Sequence, residues 1–308
     1  MTLAVSSQSL FLAGWNGQGG VQGWRDHQRA HEDVPMAPGP AFPFVSRLLA
    51  LNEASPIPGN PVHVHIVSRQ EPSVSVRFLN SLEAHGLRKH YGKGFEQGVY
   101  LNGSSPLGAL EVNRPHLFLS TRFREVRRAL ARGVAAAHLQ PFVPPGGTLS
   151  GEKGRLTVAL DGDAVVFGDE SEAVYLRGGL MAFEEEEMRH AHEPLSRGPL
   201  YGFLIALGNL RAVFREASES PLHLHLVTAR GFAGQKRAQR TLRGWAVPFD
   251  QTIFLSGAEK GPHLRRSGAT IFFDDSLGNV RSAHQNGVPA AHVPFGVKND
   301  PKAGRKKP

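Results

Sequence analysis

The chain has 308 residues and no cysteine, which excludes disulfide bonds and thiolate chemistry. Hydrophobic residues make up 40% and charged residues 20% of it, typical of a water-soluble protein with a buried core. No stretch is long and apolar enough for a membrane helix, so we expect a cytoplasmic protein without a membrane partner. The formal charge is +8, but residues 298–308 carry five basic residues and one acid. Half of the net positive charge therefore lies in this segment, which we expect to be a disordered basic tail. Because the charge is concentrated there, it argues against a nucleic-acid partner.

Similar apolar runs occur twice along the chain. Segment 117–120 (LFLS) resembles 271–274 (IFFD), and 133–138 (GVAAAH) resembles 287–292 (GVPAAH), each pair at an offset of 154 residues. Shared β-propensity would produce similar strands, but it would not preserve the spacing between them. We therefore predict an internal duplication.

The runs of the second copy are short, rich in branched residues and separated by helix-like stretches such as 203–217 and 233–244. This alternation is typical of a parallel sheet covered by helices. We predict an α/β fold of two Rossmann-like units, divided by the turn-rich segment 141–154. The predicted ranges are 1–145 for a degenerate N-terminal domain, 146–297 for the catalytic domain, about 169–221 for its helical cap, and 298–308 for the tail.

Polar residues follow the predicted strands of the second copy. They are Asp161, Gly162 and Asp163 after the first strand, Thr228 after the second, Lys260 after the third, and Asp274 and Asp275 after the fourth. Because the carboxyl ends of parallel strands share one edge of a sheet, we expect these side chains to converge. Clustered carboxylates repel one another unless a proton or a cation compensates them. Mg²⁺ prefers such oxygen ligands together with a substrate phosphate, so the pattern predicts a Mg²⁺-dependent phosphohydrolase.

At these positions the chain resembles a known group of enzymes. The ordered set of DGDAV, Thr228, Lys260 and Asp274-Asp275 resembles the four motifs of the haloacid dehalogenase superfamily. Within it, the words DGDAVVFGDESE, LVTAR, LSGAEKGP, IFFDD and AAHVPFGV resemble the cytosolic 5′-nucleotidase I family, which prefers AMP. The N-terminal words AVSSQSLF and HEDVPMAPGPAFPFV extend this resemblance to about residues 3–297.

The resemblance implies roles for individual residues. Asp161 would be the nucleophile that forms an aspartyl-phosphate, and Asp163 would protonate the leaving 5′-oxygen and then activate water. The Mg²⁺ ligands would be Asp161, Asp274, Asp275 and the backbone carbonyl of Asp163. The phosphate-binding residues would be Gly162, Thr228, Ala229 and Lys260. The implied reaction is hydrolysis of a nucleoside 5′-monophosphate to nucleoside and phosphate.

The predicted cap would close over the site and recognise the nucleoside. The candidates for base or ribose contacts are Phe167, Phe183, His192 and Arg197. The His-Glu and Gly-Pro pairs of this region recur in the first copy, so a structural role is an alternative for them.

Several motifs also have plainer interpretations. Asp161-Gly162 alone would be a hairpin turn, and Asp274-Asp275 a helix cap, but neither explains the ordered set of motifs. The His-x-His pairs 63/65 and 223/225 could bind zinc, although no further ligand is apparent and packing is the preferred interpretation. The run Glu184 to Glu187 is interpreted as the solvated start of a helix.

The first copy has lost the acids of the second. Ser6, Gln8, Ser68, Pro106, Ser120 and Thr121 stand opposite Asp161, Asp163, Thr228, Lys260, Asp274 and Asp275 respectively. Such a unit cannot form a phosphoenzyme. It is either a scaffold or a site for a nucleotide effector, lined by Ser6, Ser7 and Ser68.

Three other functions remain open from the sequence. A phosphatase of sugar phosphates would use the same machinery. A non-catalytic nucleotide sensor and a nucleic-acid binder belong to different classes; the intact acids argue against the first, and the charge in the tail argues against the second. Assembly into a homo-oligomer is a further expectation that the residues do not decide.

Overall fold

The computed structural model describes residues 1–142, 155–215 and 220–300. Most of the predicted boundary segment 141–154 and residues 301–308 of the predicted tail lie outside the described residues. Within the described ranges, no helix is both long and apolar enough to cross a membrane.

The described residues of the first half, 1–142, form seven strands and six α-helices. The strands are β1 (Thr2–Val5), β2 (Phe11–Leu12), β3 (Ala37–Pro38), β4 (His63–Ser68), β5 (Phe95–Tyr100), β6 (Leu117–Ser120) and β7 (Ala136–Leu139). The helices are α1 (Ser7–Leu10), α2 (Gly20–Ala30), α3 (Phe42–Glu53), α4 (Val76–Ala84), α5 (Leu107–Asn113) and α6 (Phe123–Leu130).

The described residues of the second half, 155–215 and 220–300, form five strands and five α-helices. The strands are β8 (Leu156–Leu160), β9 (Leu222–Thr228), β10 (Gln251–Phe254), β11 (Ile271–Asp274) and β12 (Ala290–His292). The helices are α7 (Glu170–Arg189), α8 (Tyr201–Val213), α9 (Phe232–Gly244), α10 (Gly261–Arg266) and α11 (Leu277–Gln285). The short apolar runs of the second copy therefore form strands, as predicted.

Ten strands form one sheet in the order β10-β9-β8-β11-β12-β7-β6-β1-β4-β5. Within this sheet every pair inside a half is parallel, which confirms the predicted α/β class with a mostly parallel sheet. Strands β2 and β3 form a separate antiparallel pair. The halves meet through an antiparallel pair, in which His292 of β12 lies opposite His138 of β7. Because the two halves run in opposite directions, their strand carboxyl ends lie at opposite edges of the sheet.

Helices cover both faces of this sheet. Alternate residues of a strand enter different core clusters; in β11, for example, Phe273 faces one cluster and Phe272 another. One cluster extends through both halves beneath α3, α4, α8 and α9, whereas α5/α6 and α10/α11 each cover a smaller cluster on the other face. Burial on both faces explains why the strands are continuous apolar runs in the sequence.

The two halves share their core as well as their sheet. The ring of Phe44 in α3 packs edge-to-face against Phe273 in β11, with centroids 6.4 Å apart. Arg47, also in α3, donates a 2.7 Å hydrogen bond to the Thr270 hydroxyl of the other half. The described residues before and after the predicted boundary therefore pack as one body.

The predicted cap region, 169–221, contains two different kinds of helix. Helix α7 borders the strand-end crevice of the second half and is interrupted at Gly179, whose φ of 73° is not helical. Helix α8 packs on the sheet instead, with Phe203, Leu204 and Leu207 fully buried in the large core cluster.

Candidate active site

Asp161 stands immediately after β8, at the edge where the strands of the second half end. Its backbone N–H donates a 2.9 Å hydrogen bond to the carbonyl of Phe273, which fixes the turn that follows the strand. Its Oδ1 accepts a 2.6 Å hydrogen bond from the backbone N–H of Gly162. The side chain is 94% buried, so its orientation is determined by the fold rather than by solvent.

Asp161, Asp274 and Asp275 form a compact acidic group. One oxygen of each carboxylate lies within 4.8 Å of an oxygen of the others, and all three residues are buried. Burial, followed by the negative charges of Asp161 and Asp274, raises the pKa of Asp275. Burial also raises the pKa of Asp161, with Lys260 opposing this effect. The arrangement is electrostatically costly without a cation or protons to compensate it.

Lys260 lies beneath this acidic group and neutralises part of it. Its Nζ is 2.6 Å from Asp161 Oδ1 and 2.7 Å from Asp274 Oδ2, and the residue is 99% buried. Burial alone would lower the pKa of Lys260, but the two carboxylates raise it above its ordinary value. Lys260 occupies the N-cap position of α10, so the turn after β10 delivers its side chain to the site.

Asp163 is held by an arginine that the sequence analysis did not assign. Arg230 Nη2 and Nε donate hydrogen bonds of 2.6 and 2.9 Å to the two carboxylate oxygens of Asp163. The same guanidinium pairs with Glu187 and donates a 2.8 Å hydrogen bond to the Ser171 hydroxyl. Glu187 is completely buried and also pairs with Arg237 at 3.1 Å. This buried network connects the β9–α9 turn to α7.

A crevice of about 540 Å³ opens above these groups. Among the predicted phosphate-binding residues, Thr228 and Ala229 line it, together with Asp161, Asp163 and Asp275. Gly162 is needed for space rather than for an unusual backbone angle: a Cβ at this position would lie 3.0 Å from Thr228 Oγ1. The left-handed residue of this turn is Ala164, at φ 59°.

The structure separates the four residues predicted to contact the nucleoside. Phe183 lines the crevice. Phe167 is completely buried and packs against Trp245, with ring centroids 5.7 Å apart. His192 and Arg197 are exposed residues outside the crevice lining, and the Arg197 guanidinium lies over the ring of Tyr201. The apolar part of the lining contains Tyr175, Leu180 and Phe232, which were not predicted.

Two other predictions need correction. Glu184 to Glu187 lie near the end of α7, not at a helix start, and Glu187 is a buried member of the Arg230 network rather than a solvated residue. Lys298, placed in the tail by the sequence analysis, lines the crevice and pairs with Glu172 of α7. Asn299 next to it donates a 3.0 Å hydrogen bond to the carbonyl of Asp275.

The His-x-His pairs do not lie in a metal-binding group of the described residues. His223 and His225 lie on β9 with ring centroids 6.4 Å apart, and His225 is 98% buried. Burial lowers the pKa of His225 to about 4, so it is a neutral packed side chain at ordinary pH.

Sequence reasoning missed the Arg230 network because its members are far apart in the chain. The word LVTAR contains Arg230, but nothing near it indicates a partner 43 residues earlier at Glu187 or 67 residues earlier at Asp163. The available signal was weak: a charged residue two positions after the strand-end Thr228.

Comparison with known proteins places the chain in a family. The family model described as "5′-nucleotidase" matches residues 1–300. Human cytosolic 5′-nucleotidase 1B is 32% identical over 310 aligned residues, which cover 95% of this chain and 48% of that protein. The chain thus spans about half the length of this relative.

A solved structure also shares some similarity. It is the crystal structure of a HAD-superfamily hydrolase, subfamily IA, variant 1, from Geobacter sulfurreducens PCA. It is 21% identical, covers 46% of this chain and 89% of its own, and has a TM-score of 0.25, which is too low to decide the fold. The match to nearly the whole sequence is what assigns the family, and it agrees with the strand-end acids described above: the chain belongs to the 5′-nucleotidase family.

Proposed function

We propose that this chain is a Mg²⁺-dependent 5′-nucleotidase that converts nucleoside 5′-monophosphates, with AMP preferred, to nucleoside and phosphate. The observation that carries the proposal is the acidic group of Asp161, Asp274 and Asp275 at the floor of a crevice large enough for a nucleotide. Family membership supports the nucleotide as substrate. The name of the human relative supports a cytosolic location.

The acidic group fits a divalent cation. Asp275 Oδ2 is buried and has no hydrogen-bond partner among the described residues, which is costly for a carboxylate oxygen unless a ligand compensates it. Asp161, Asp274 and Asp275 would hold Mg²⁺, and Asp163 would add its backbone carbonyl. When bound, the ion would neutralise the phosphate oxygens as charge redistributes during transfer.

Asp161 is assigned as the nucleophile. Its Oδ1 already receives Gly162 N–H and Lys260, so Oδ2 is the oxygen available for attack on phosphorus. A bond forms between Oδ2 and phosphorus while the bond from phosphorus to the 5′-oxygen breaks, giving an aspartyl-phosphate and the nucleoside. Water then attacks the same phosphorus and releases Asp161 with inorganic phosphate. Thr228 and Lys260 would stabilise the phosphoryl group.

Asp163 is assigned as the acid and base. It gives a proton to the leaving 5′-oxygen and later takes one from the attacking water. The bidentate pairing with Arg230 occupies both carboxylate oxygens of Asp163, so one of them has to leave Arg230 before it can carry a proton to the 5′-oxygen. We therefore propose that Asp163 leaves Arg230 to act as an acid in the first step.

The nucleoside is proposed to lie against the apolar wall of the crevice. This wall is formed by Tyr175, Leu180 and Phe183 of α7 and by Phe232 of α9. Phe232 is 89% exposed, which is unusual for a large apolar side chain unless a ligand covers it. In this arrangement α7 serves as the cap.

We also propose that the chain is a duplicated haloacid dehalogenase-type unit, with residues 1–145 degenerate and 146–297 catalytic. Read outward from the β7–β12 junction, both halves have the same strand order: β7-β6-β1-β4-β5 and β12-β11-β8-β9-β10. The strands that correspond in this order also correspond in the sequence repeat.

Phosphate release from a panel of nucleoside monophosphates and sugar phosphates, with and without Mg²⁺, tests the proposed function. We expect hydrolysis of AMP that requires Mg²⁺ and is lost in Asp161→Asn. Full activity in Asp161→Asn would contradict the mechanism. Slow hydrolysis of AMP beside fast hydrolysis of a sugar phosphate would contradict the substrate assignment alone.

A further inference from the structure

A second crevice lies at the strand carboxyl ends of the N-terminal half. Its volume is about 550 Å³, against about 540 Å³ for the crevice that contains Asp161. Ser6, Ser7 and Ser68 lie on its floor, where β1 and β4 end. Because the two halves of the sheet run antiparallel, this N-terminal crevice opens at the opposite edge from the catalytic one.

The backbone at the first strand end is similar in the two crevices. Ser6 N–H bonds to the carbonyl of Leu119 at 2.9 Å, as Asp161 N–H bonds to that of Phe273 at 2.9 Å. The backbone angles also agree, with φ/ψ of −74°/146° at Ser6 and −72°/164° at Asp161.

A second turn at the edge of the crevice is preserved in the same way. Asn102 and Gly103 have φ of 41° and 84°, while Ser256 and Gly257 have 47° and 84°. Positive φ is uncommon for asparagine and serine, so its occurrence at matching places shows that this turn is retained in both crevices. The segments after Ser6 and Asp161 differ, since Ser7–Leu10 is helical whereas Ala164 has a φ of 59°. The N-terminal crevice therefore keeps the strand-end geometry and the edge turn.

The charge of the two crevices has opposite sign. The described lining of the catalytic crevice contains five carboxylates against one arginine and one lysine, whereas the N-terminal lining contains three arginines against two glutamates. The three arginines are Arg25, Arg69 and Arg122. Glu125 contacts both Arg69 (3.4 Å) and Arg122 (3.9 Å), so one carboxylate is shared by two guanidinium groups. Such a site attracts an anion without needing a metal ion.

Two further features indicate the rest of the ligand. Trp15 and Trp24 are half-buried in the lining, with ring centroids 5.4 Å apart and planes at 71°. They present an aromatic surface suited to a flat ring. Gln70 is 91% buried in the lining, and its Oε1 has no hydrogen-bond partner among the described residues. A hydroxyl or amino group of a ligand would satisfy it.

We propose that the N-terminal crevice binds a nucleoside phosphate without Mg²⁺ and without hydrolysing it. The phosphate is recognised by Arg69, Arg122 and the floor hydroxyls, and the base lies against the tryptophan pair. Hydrolysis does not occur there because Ser6 and Gln8 replace the nucleophile and the acid. A nucleoside alone would leave the arginines without an anion, and inorganic phosphate alone would leave the tryptophan pair uncovered.

Tryptophan fluorescence provides a direct measurement. The chain has three tryptophans, and two of them line the N-terminal crevice. In a Trp245→Phe variant kept in EDTA, we expect AMP to change the fluorescence saturably, and adenosine or inorganic phosphate to bind at least about tenfold more weakly, a difference of about 1.4 kcal/mol. The full chain is used because the two halves share a core. Absence of AMP binding in EDTA, or equally tight binding of adenosine, would overturn the proposal.

Two substitutions locate the binding. Arg69→Gln and Arg122→Gln are each expected to weaken AMP binding in EDTA by about tenfold or more, since a charge-assisted contact is lost. Arg132→Gln, which removes an exposed partner of Glu111 outside this lining, is the matched control. Thermal unfolding without ligand checks that each variant is folded. Unchanged affinity in both folded variants would overturn the proposal, and this outcome is independent of whether the chain hydrolyses AMP.

Discussion

The two crevices of this molecule share a strand arrangement and differ in charge. Both lie at the carboxyl ends of five parallel strands with the same order, and both have similar volumes. Asp161 and Asp274 in one crevice are matched by Ser6 and Ser120 in the other. The serines satisfy one another and their neighbours by hydrogen bonds, as Ser6 does with Ser9 at 2.7 Å. Ionised carboxylates cannot donate hydrogen bonds to one another, and the buried Lys260 compensates part of their negative charge.

This difference shows how function is divided between backbone and side chains. The parallel sheet positions whatever residues follow its strands, which explains why the N-terminal crevice keeps its shape without acids. The chemistry depends on side chains that are costly to bury. A substitution in one crevice can therefore be compared with a control substitution elsewhere in the chain.

The largest effect is expected for Asp161→Asn. An amide cannot attack phosphorus or bind Mg²⁺ as a carboxylate does, so kcat for AMP should fall by about 10³-fold or more. Steady-state phosphate release measures this. Asp26→Asn, an exposed acid in the N-terminal half, should retain wild-type kcat. A loss of less than tenfold in Asp161→Asn would show that the nucleophile lies elsewhere.

The second-largest effect is expected for Arg230. The corresponding position in the N-terminal half is occupied by the neutral Gln70. Arg230→Met leaves Glu187 and Asp163 without their shared partner, so the free energy of unfolding should fall by about 3–5 kcal/mol. Arg88→Met, which removes a surface pair with Glu83, should change it by no more than about 1 kcal/mol. Chemical denaturation measures both.

Arg230→Lys tests the positioning of Asp163 separately from stability. Lysine keeps the positive charge but cannot make the bidentate hydrogen bonds to Asp163. We therefore expect kcat to fall by about tenfold or more while KM changes little. A change in KM alone would contradict this role, because it would indicate lost substrate binding rather than a misplaced acid.

Mg²⁺ should stabilise the catalytic half through its acidic group. At 100 times its dissociation constant the ion would add about 2.7 kcal/mol to the free energy of unfolding, seen as a rise in the thermal midpoint. The rise should be largely lost in Asp275→Asn and retained in Asp26→Asn. An equal rise in both variants would place the metal elsewhere.

The smallest effect concerns pH and the packed histidine of β9. His225 is neutral in the fold, with its pKa lowered by burial to about 4, while the unfolded chain takes up a proton near pH 6.5. The folded state thus binds fewer protons between these values. Stability is therefore retained above about pH 6.5 and is lost as pH falls toward 4.

Replacing His225 by leucine should flatten this acid-side loss of stability. His223→Leu, at a half-exposed position on the same strand, is the control and should leave the slope unchanged. Denaturation series at several pH values measure the slope. An identical slope in His225→Leu would assign the acid sensitivity to other groups.

Much of the fold could be predicted because the strands are buried on both faces. Because of that burial, each strand is a continuous run of apolar residues in the sequence. The runs recur at a constant offset, so the strands of one half could be matched to those of the other. The strand-end rule then placed Asp161, Asp274 and Asp275 together, and the structure brings them within 4.8 Å. The junction of the halves was not predictable, because the antiparallel pairing of β7 with β12 depends on only a few residues.

The sequence by itself determined the α/β class, the family and the positions of the strand-end acids, since each depends on short sequence motifs and on their order along the chain. Tertiary structure alone decided three other features. It joined the halves into one sheet with crevices at opposite edges, buried Glu187 beneath Arg230, and brought Lys298 from the expected tail to the crevice. Each of these is a contact between residues distant in the chain, governed by packing and charge compensation that no local pattern encodes.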